Sequence, residues 1–127
     1  MSRLSQVFTD LQSGKRKALI PYVVAGDPSP VGTVSLLHSL VGAGADILEL
    51  GVPFSDPMSE GAVIQKGHER ALGNGMSLQR VLGMVAEFRK DNDRTPIVMM
   101  GYANPIERFG YETFALASAD AGVDGLI

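Results

Sequence analysis

Four short apolar segments, each divided from the next by helical patterns, constrain this chain more than anything else in it. They run over Ala18–Ala25 (ALIPYVVA), Asp46–Val52 (DILELGV), Pro96–Met100 (PIVMM) and Gly125–Ile127. Each is short, rich in branched side chains and bounded by Gly, Pro or Asp, which reads as a buried strand. Pro21 removes one ladder donor from the first. No Asn-Gly type of hairpin signal joins any two of them. Strands that alternate with helices run parallel, because each crossover helix returns the chain to the same end of the sheet.

The helical patterns carry their own punctuation. Ser2 is a candidate N-cap for a stripe of Leu4, Val7, Phe8 and Leu11 that stops at Gly14. Ser29-Pro30 opens a second helix with Val34, Leu37, Leu40 and Val41 inward. A third pattern runs from about Ala62 to Leu72 and ends at Gly73-Asn74-Gly75. Ser77 caps a fourth, with Leu78, Val81, Leu82, Val85 and Phe88 on one face, and Phe114, Ala117 and Ala121 mark a last one. The stretch from Tyr102 to Pro105 reads as a loop.

Two segments resemble each other: Ala43-Gly-Ala-Asp-Ile-Leu48 and Ala121-Gly-Val-Asp-Gly-Leu126. Each places a glycine stop, then Asp, then a strand. This repeat of a βα unit favours a closed (β/α)8 barrel over an open doubly wound sheet, and the first βα turn, Gly26-Asp27-Pro28, lacks a dinucleotide-binding glycine fingerprint. Such a barrel takes about 250 residues, and this chain has 127. The expectation is the amino-terminal half of one α/β barrel domain, residues 1–127, which either continues or pairs with a second half.

Composition excludes several chemistries. The chain has no cysteine, so thiolate metal sites and cysteine nucleophiles are out. Eleven basic against 14 acidic residues, with no basic run longer than Lys15 to Lys17, argues against binding nucleic acid. No apolar run reaches membrane-spanning length, and a cytoplasmic location is expected. His38 and His68 lie in helical patterns without ligand spacing and read as surface or core histidines.

The carboxylates are the remaining candidates. Along the second strand Ile47, Glu49 and Gly51 point one way, Leu48 and Leu50 the other. If Ile47 is barrel core, Glu49 rises from an apolar layer into the mouth, where desolvation suits a group that gives and takes a proton. A strand-end Glu in water, or paired with Lys or Arg, explains the residue equally well. Glu60, just before a helix, reads by itself as a capping and dipole partner. Asp56 reads as a turn former. Tyr22 and Tyr102 sit at the same mouth, as walls for a flat apolar ring or as ordinary packing.

LELGVPFSDP (Leu48 to Pro57), with PYVVAGDP (Pro21 to Pro28), Val63-Ile64-Gln65 and GYANPI (Gly101 to Ile106), resembles the tryptophan synthase α-chain family at consistent spacing over all 127 residues. The resemblance implies a barrel lyase. It cleaves indole-3-glycerol phosphate by a reverse aldol step into indole and glyceraldehyde 3-phosphate, within an α2β2 heterotetramer, and needs no metal or organic cofactor. It implies that Glu49 is the acid/base and that the carboxylate at position 60 accepts the indole N–H and stabilises charge there. It assigns Tyr22, Ile64, Met100, Tyr102 and Ile127 to the indole pocket. Pro53, Asp56 and Asn104 would contact the β subunit, and the phosphate site would lie on later barrel loops.

The sequence departs from that family in two places. Position 60 is usually aspartate, in Ala-Asp-Gly-Pro; here it is Ser59-Glu60-Gly61-Ala62. The arm is longer by one methylene, about 1.5 Å, and misplacement of that order costs about a hundredfold in rate. Either the site is stretched, and Glu60→Asp retains or raises activity, or the loop has adapted to glutamate. Val24 also replaces a threonine common in the family. A noncatalytic half-barrel that binds a β subunit and a different phosphate-binding barrel enzyme are the rival expectations.

Overall fold

The computed structural model describes residues 1–127. The chain forms α1 (Arg3–Ser13), β1 (Tyr22–Val24), α2 (Pro30–Gly42), β2 (Leu48–Gly51), α3 (Gly61–Gly73), α4 (Leu78–Asp91), β3 (Ile97–Met100), α5 (Ala103–Phe109), α6 (Tyr111–Ala121) and β4 (Gly125–Leu126). All strand pairs are parallel and the sheet order is β1-β2-β3-β4. Strand order that follows chain order, with right-handed crossovers, leaves every crossover helix on one face. That is the winding of a (β/α)8 barrel, of which four strands are present.

Caps fall where the side chains put them. Ser2 Oγ accepts the Ser5 N–H at 3.1 Å, and Ser77 Oγ accepts that of Arg80 at 3.3 Å. Ser29 stands at the N-cap of α2 without a side-chain bond, and Pro30 opens the helix. All five apolar positions read on α4 are buried, with Met84 beside them. They join Leu37, Leu48, Leu50, Ile97, Met99 and Phe114 in one core between helices and sheet. His38 stacks on Phe88, ring centres 4.5 Å apart.

Two expectations change. The first strand is three residues long, because Pro21 has no N–H to donate. Leu19 and Pro21 still offer their carbonyls to Asp46 and Glu49 at 2.9 and 3.0 Å. The segment from Tyr102 is not all loop: α5 occupies Ala103–Phe109. Pro105 falls in its first turn, where a missing donor costs nothing.

The repeated Asp has a mechanical role. Asp46 Oδ2 accepts the N–H of Leu19, just ahead of β1, at 2.8 Å, while Oδ1 takes Arg16 at 2.7 Å. Asp124 Oδ2 likewise accepts the N–H of Ile97, which opens β3, at 2.9 Å. It also takes Arg89 at 2.6 Å, and Oδ1 takes Arg3 at 2.9 Å. Each Asp, placed before its own strand, grips the amino-terminal start of the preceding one. The strand alignment is thereby fixed at the end opposite the mouth.

Candidate active site at the carboxyl ends of the strands

Leu48 and Leu50 are 1% and 0% exposed in the helix-side core, so alternation turns Glu49 to the opposite face. Ile47, on that side, is buried and lies outside the helix-side cluster, as a barrel-core residue should. Tyr22, Glu49, Val98 and Gly125 are register partners in one row across the sheet. Glu49 is half-buried, and its carboxylate has no hydrogen bond or ion pair within the chain. Of the alternatives to a catalytic carboxylate, a Glu paired with Lys or Arg does not form; a strand-end Glu facing water is equally consistent with its partial exposure.

The chain leaves β2 through Pro53 and Pro57 and enters α3 at Gly61, whose φ of +82° favours glycine. Glu60 stands immediately before that glycine. It is the N-cap residue of α3 but makes no side-chain cap bond. Its carboxylate instead accepts the Tyr22 O–H on Oε1 at 2.9 Å, and Oε2 lies 3.5 Å from the Tyr102 hydroxyl. The Tyr102 oxygen also accepts the Ser59 N–H at 3.2 Å, and its ring stacks on Phe54. The Glu60 side chain is only 7% exposed. Burial first, then the hydrogen bond to Glu60 and the charges of Glu60 and Glu49, push the Tyr22 phenol far above its usual range. Tyr22 therefore stays a hydroxyl donor at any physiological pH. Gly51 makes room for it, since a Cβ there would clash with the Tyr22 ring.

His68 completes the cluster. It is 1% exposed; its Nδ1 accepts the Phe54 N–H at 2.9 Å, and Nε2 stands 2.9 Å from Glu60 Oε2. The contact is close but off the N–H direction, so Nε2 has no well-formed hydrogen bond. Sequence spacing could not announce this pair. Eight residues along a helix span about 12 Å, yet the two side chains meet at 2.9 Å.

The other predicted positions divide into three groups. Ile64 shares a cleft with Tyr22, Val24 and Gly67 between β1 and α3. Met100 ends β3 beside Gly51, and Ile127, 65% exposed, continues β4 along β3 with its N–H on the Met99 carbonyl at 2.8 Å. Pro53 and Asn104 line a separate groove of about 560 Å³ with Phe54, Pro105, Arg108 and Phe109. Asp56 is exposed next to it and accepts the Ser55 hydroxyl at 2.7 Å. This groove is not where the carboxylates meet. The Glu49 face is one open side of a four-stranded sheet, and enclosure there requires a barrel that closes. No group of three His, Asp or Glu side chains is placed to hold a metal ion.

A parallel βα half-barrel with an unpaired carboxylate at a strand's carboxyl end, and a second one on the following loop, is the framework of a barrel enzyme. Comparison with known proteins narrows the class. The chain belongs to the tryptophan synthase alpha chain family, whose model matches residues 8–127. It is 62% identical to the tryptophan synthase alpha chain of Marinobacter nauticus, over all of this chain and 47% of that one. The alpha subunit structure from Legionella pneumophila superposes with a TM-score of 0.98 at 52% identity, over 99% of this chain and 48% of that one. A structure of the tryptophan synthase a2b2 complex from Pyrococcus furiosus matches with a TM-score of 0.80 at 45% identity, over 86% of this chain and 43% of that one. The chain spans about half the length of the curated relatives it matches.

Proposed function

We propose that residues 1–127 form the amino-terminal half of a single barrel domain that cleaves indole-3-glycerol phosphate to indole and glyceraldehyde 3-phosphate, in the closing steps of tryptophan synthesis. Glu49 is the acid/base: it moves protons between the glycerol hydroxyl and indole C3, so that the carbon–carbon bond breaks with the protonated ring as electron sink. Glu60 accepts the indole N–H and stabilises the positive charge that develops on the ring. Tyr22, Ile64, Met100, Tyr102 and Ile127 wall the ring. Pro53, Asp56 and Asn104 present the groove to a tryptophan synthase β subunit, a reading supported by the a2b2 assembly of the Pyrococcus furiosus relative. A cytoplasmic location is part of the same proposal; no helix is long and apolar enough to cross a membrane.

One observation carries this reading. Glu49 is a carboxylate without a cation, on the face opposite the helix-side core, in register with a tyrosine that is bonded to a second carboxylate. The test is indole release from indole-3-glycerol phosphate, with and without a β subunit. It uses the chain alone and the chain continued into a complete barrel by the second half of the Marinobacter nauticus relative. Release by the completed barrel, abolished by Glu49→Gln with the fold intact, is expected. No release by the completed barrel, or an unchanged rate after Glu49→Gln, overturns the assignment.

A further inference from the structure

A buried neutral imidazole has one donor and one acceptor to place. In His68 the acceptor is committed, because Nδ1 takes the Phe54 N–H at 2.9 Å. The ring proton therefore sits on Nε2, 2.9 Å from Glu60 Oε2 and 1% exposed, where water cannot serve as its partner. The other oxygen of Glu60 is held by Tyr22. The carboxylate thus lies between a phenol on β1 that donates to it and an imidazole on α3 whose buried Nε2–H, out of line for a well-formed bond, has no other partner.

From this geometry we infer that His68 is a positioning residue for Glu60: its otherwise unpartnered Nε2–H turns onto the carboxylate oxygen 2.9 Å away and, with Tyr22 on the other oxygen, sets where the longer glutamate arm places its charge. The Phe54 bond fixes the tautomer and so makes His68 a donor to Glu60. An Asp at position 60 would fall short of the imidazole by about the length of one methylene, roughly 1.5 Å. The pair Glu60 and His68 is therefore one unit. This inference rests on the reading of Glu60 as the group that meets the indole N–H, but its first test needs no substrate.

In the unmodified chain, nitrogen-15 spectra of the imidazole should show His68 as the Nε2–H tautomer with slow proton exchange. Glu60→Gln should move the Nε2–H resonance, and Glu49→Gln should leave it in place. The Nδ1–H tautomer, or indifference to Glu60→Gln, overturns the proposal. In the completed-barrel assay, His68→Ala should lower kcat about tenfold, the scale of one lost hydrogen bond to a charged group. His68→Gln, whose amide both accepts and donates, should recover most of that loss. In a Glu60→Gln background His68→Ala should cost nothing further. An equal loss in both backgrounds would reduce His68 to packing. If the completed barrel releases no indole, the proposed function fails while the spectra still decide whether His68 positions Glu60.

Discussion

Replacing Asp124 by alanine tests the strand latch most directly. The carboxylate is 5% exposed and accepts from three donors: Arg89 at 2.6 Å, Arg3 at 2.9 Å and the Ile97 N–H at 2.9 Å. Burial pushes the Arg89 guanidinium below its usual range, and Asp124 is the foremost group opposing that shift. Without it, Arg89 keeps hydrogen bonds only to the carbonyls of Gly122, Asn92 and Thr95, which carry no full charge, with Asp93 as a weaker counter-charge. Breaking a buried pair by removing one partner costs about 3–5 kcal/mol. Arg3 is one-third exposed, so its share is screened to under about 1 kcal/mol. The orphaned Ile97 N–H adds about 1 kcal/mol or more unless water reaches it. We expect a loss of about 4 kcal/mol, a large part of the roughly 5–15 kcal/mol that holds a domain. In urea, at a slope of about 2 kcal/mol per molar, the midpoint should fall by roughly 2 M. Asp124→Asn, which can still accept from Ile97, should fall less. A shift under about 0.5 M for Asp124→Ala would refute the latch.

Other outcomes follow from the same geometry. Glu60→Asp withdraws the carboxylate by about 1.5 Å from both Tyr22 and His68. Turnover in the completed barrel should fall by about tenfold to a hundredfold, and equal or higher turnover would show that the site is not built around glutamate. Asp46 is held below the ordinary carboxylate range, chiefly by the Leu19 N–H and then by Arg16, with burial opposing. A depressed carboxylate gives its full stabilisation above the unfolded value of about 4 and loses it as pH falls through the folded one. The urea midpoints of the native chain and Asp46→Ala should therefore differ by a constant amount from pH 7 to about 5 and converge only in stronger acid; a gap that widens on acidification contradicts this. The outer edges of β1 and β4 are unpaired, and Leu19, Ile20, Leu126 and Ile127 are exposed beside them. The chain alone should self-associate in sizing experiments, and a clean monomer would contradict the open-edge account.

How far the sequence could be read depends on the range of each interaction. Alternating strands and helices, the Ser2 and Ser77 caps and the buried face of α4 rest on side chains within one or two turns of each other. All are visible in the order of residues. The direction of Glu49 was legible because strand alternation is strict and Leu48 and Leu50 left it one side to face. The short α5 was not, since seven residues with Pro105 among them show no helical period. Nor was the Glu60 environment: the sequence offered a helix cap, and the fold made a carboxylate bonded to Tyr22 on another element. His68 looked like a core histidine and is one; what could not be seen is that its buried nitrogen faces Glu60. The doubled Gly-x-Asp segment was visible as a repeat, but its purpose required knowing which backbone amide each Asp would meet.

The two aspartate latches lie at the amino-terminal ends of the strands, and the carboxylates lie at the opposite rim. Architecture and chemistry are thereby written in separate places along each βα unit. Substitutions in the rim loops, such as a longer acid at position 60, can accumulate without loosening the frame. A barrel organised this way can trial new reactivity one loop at a time and keep its scaffold throughout.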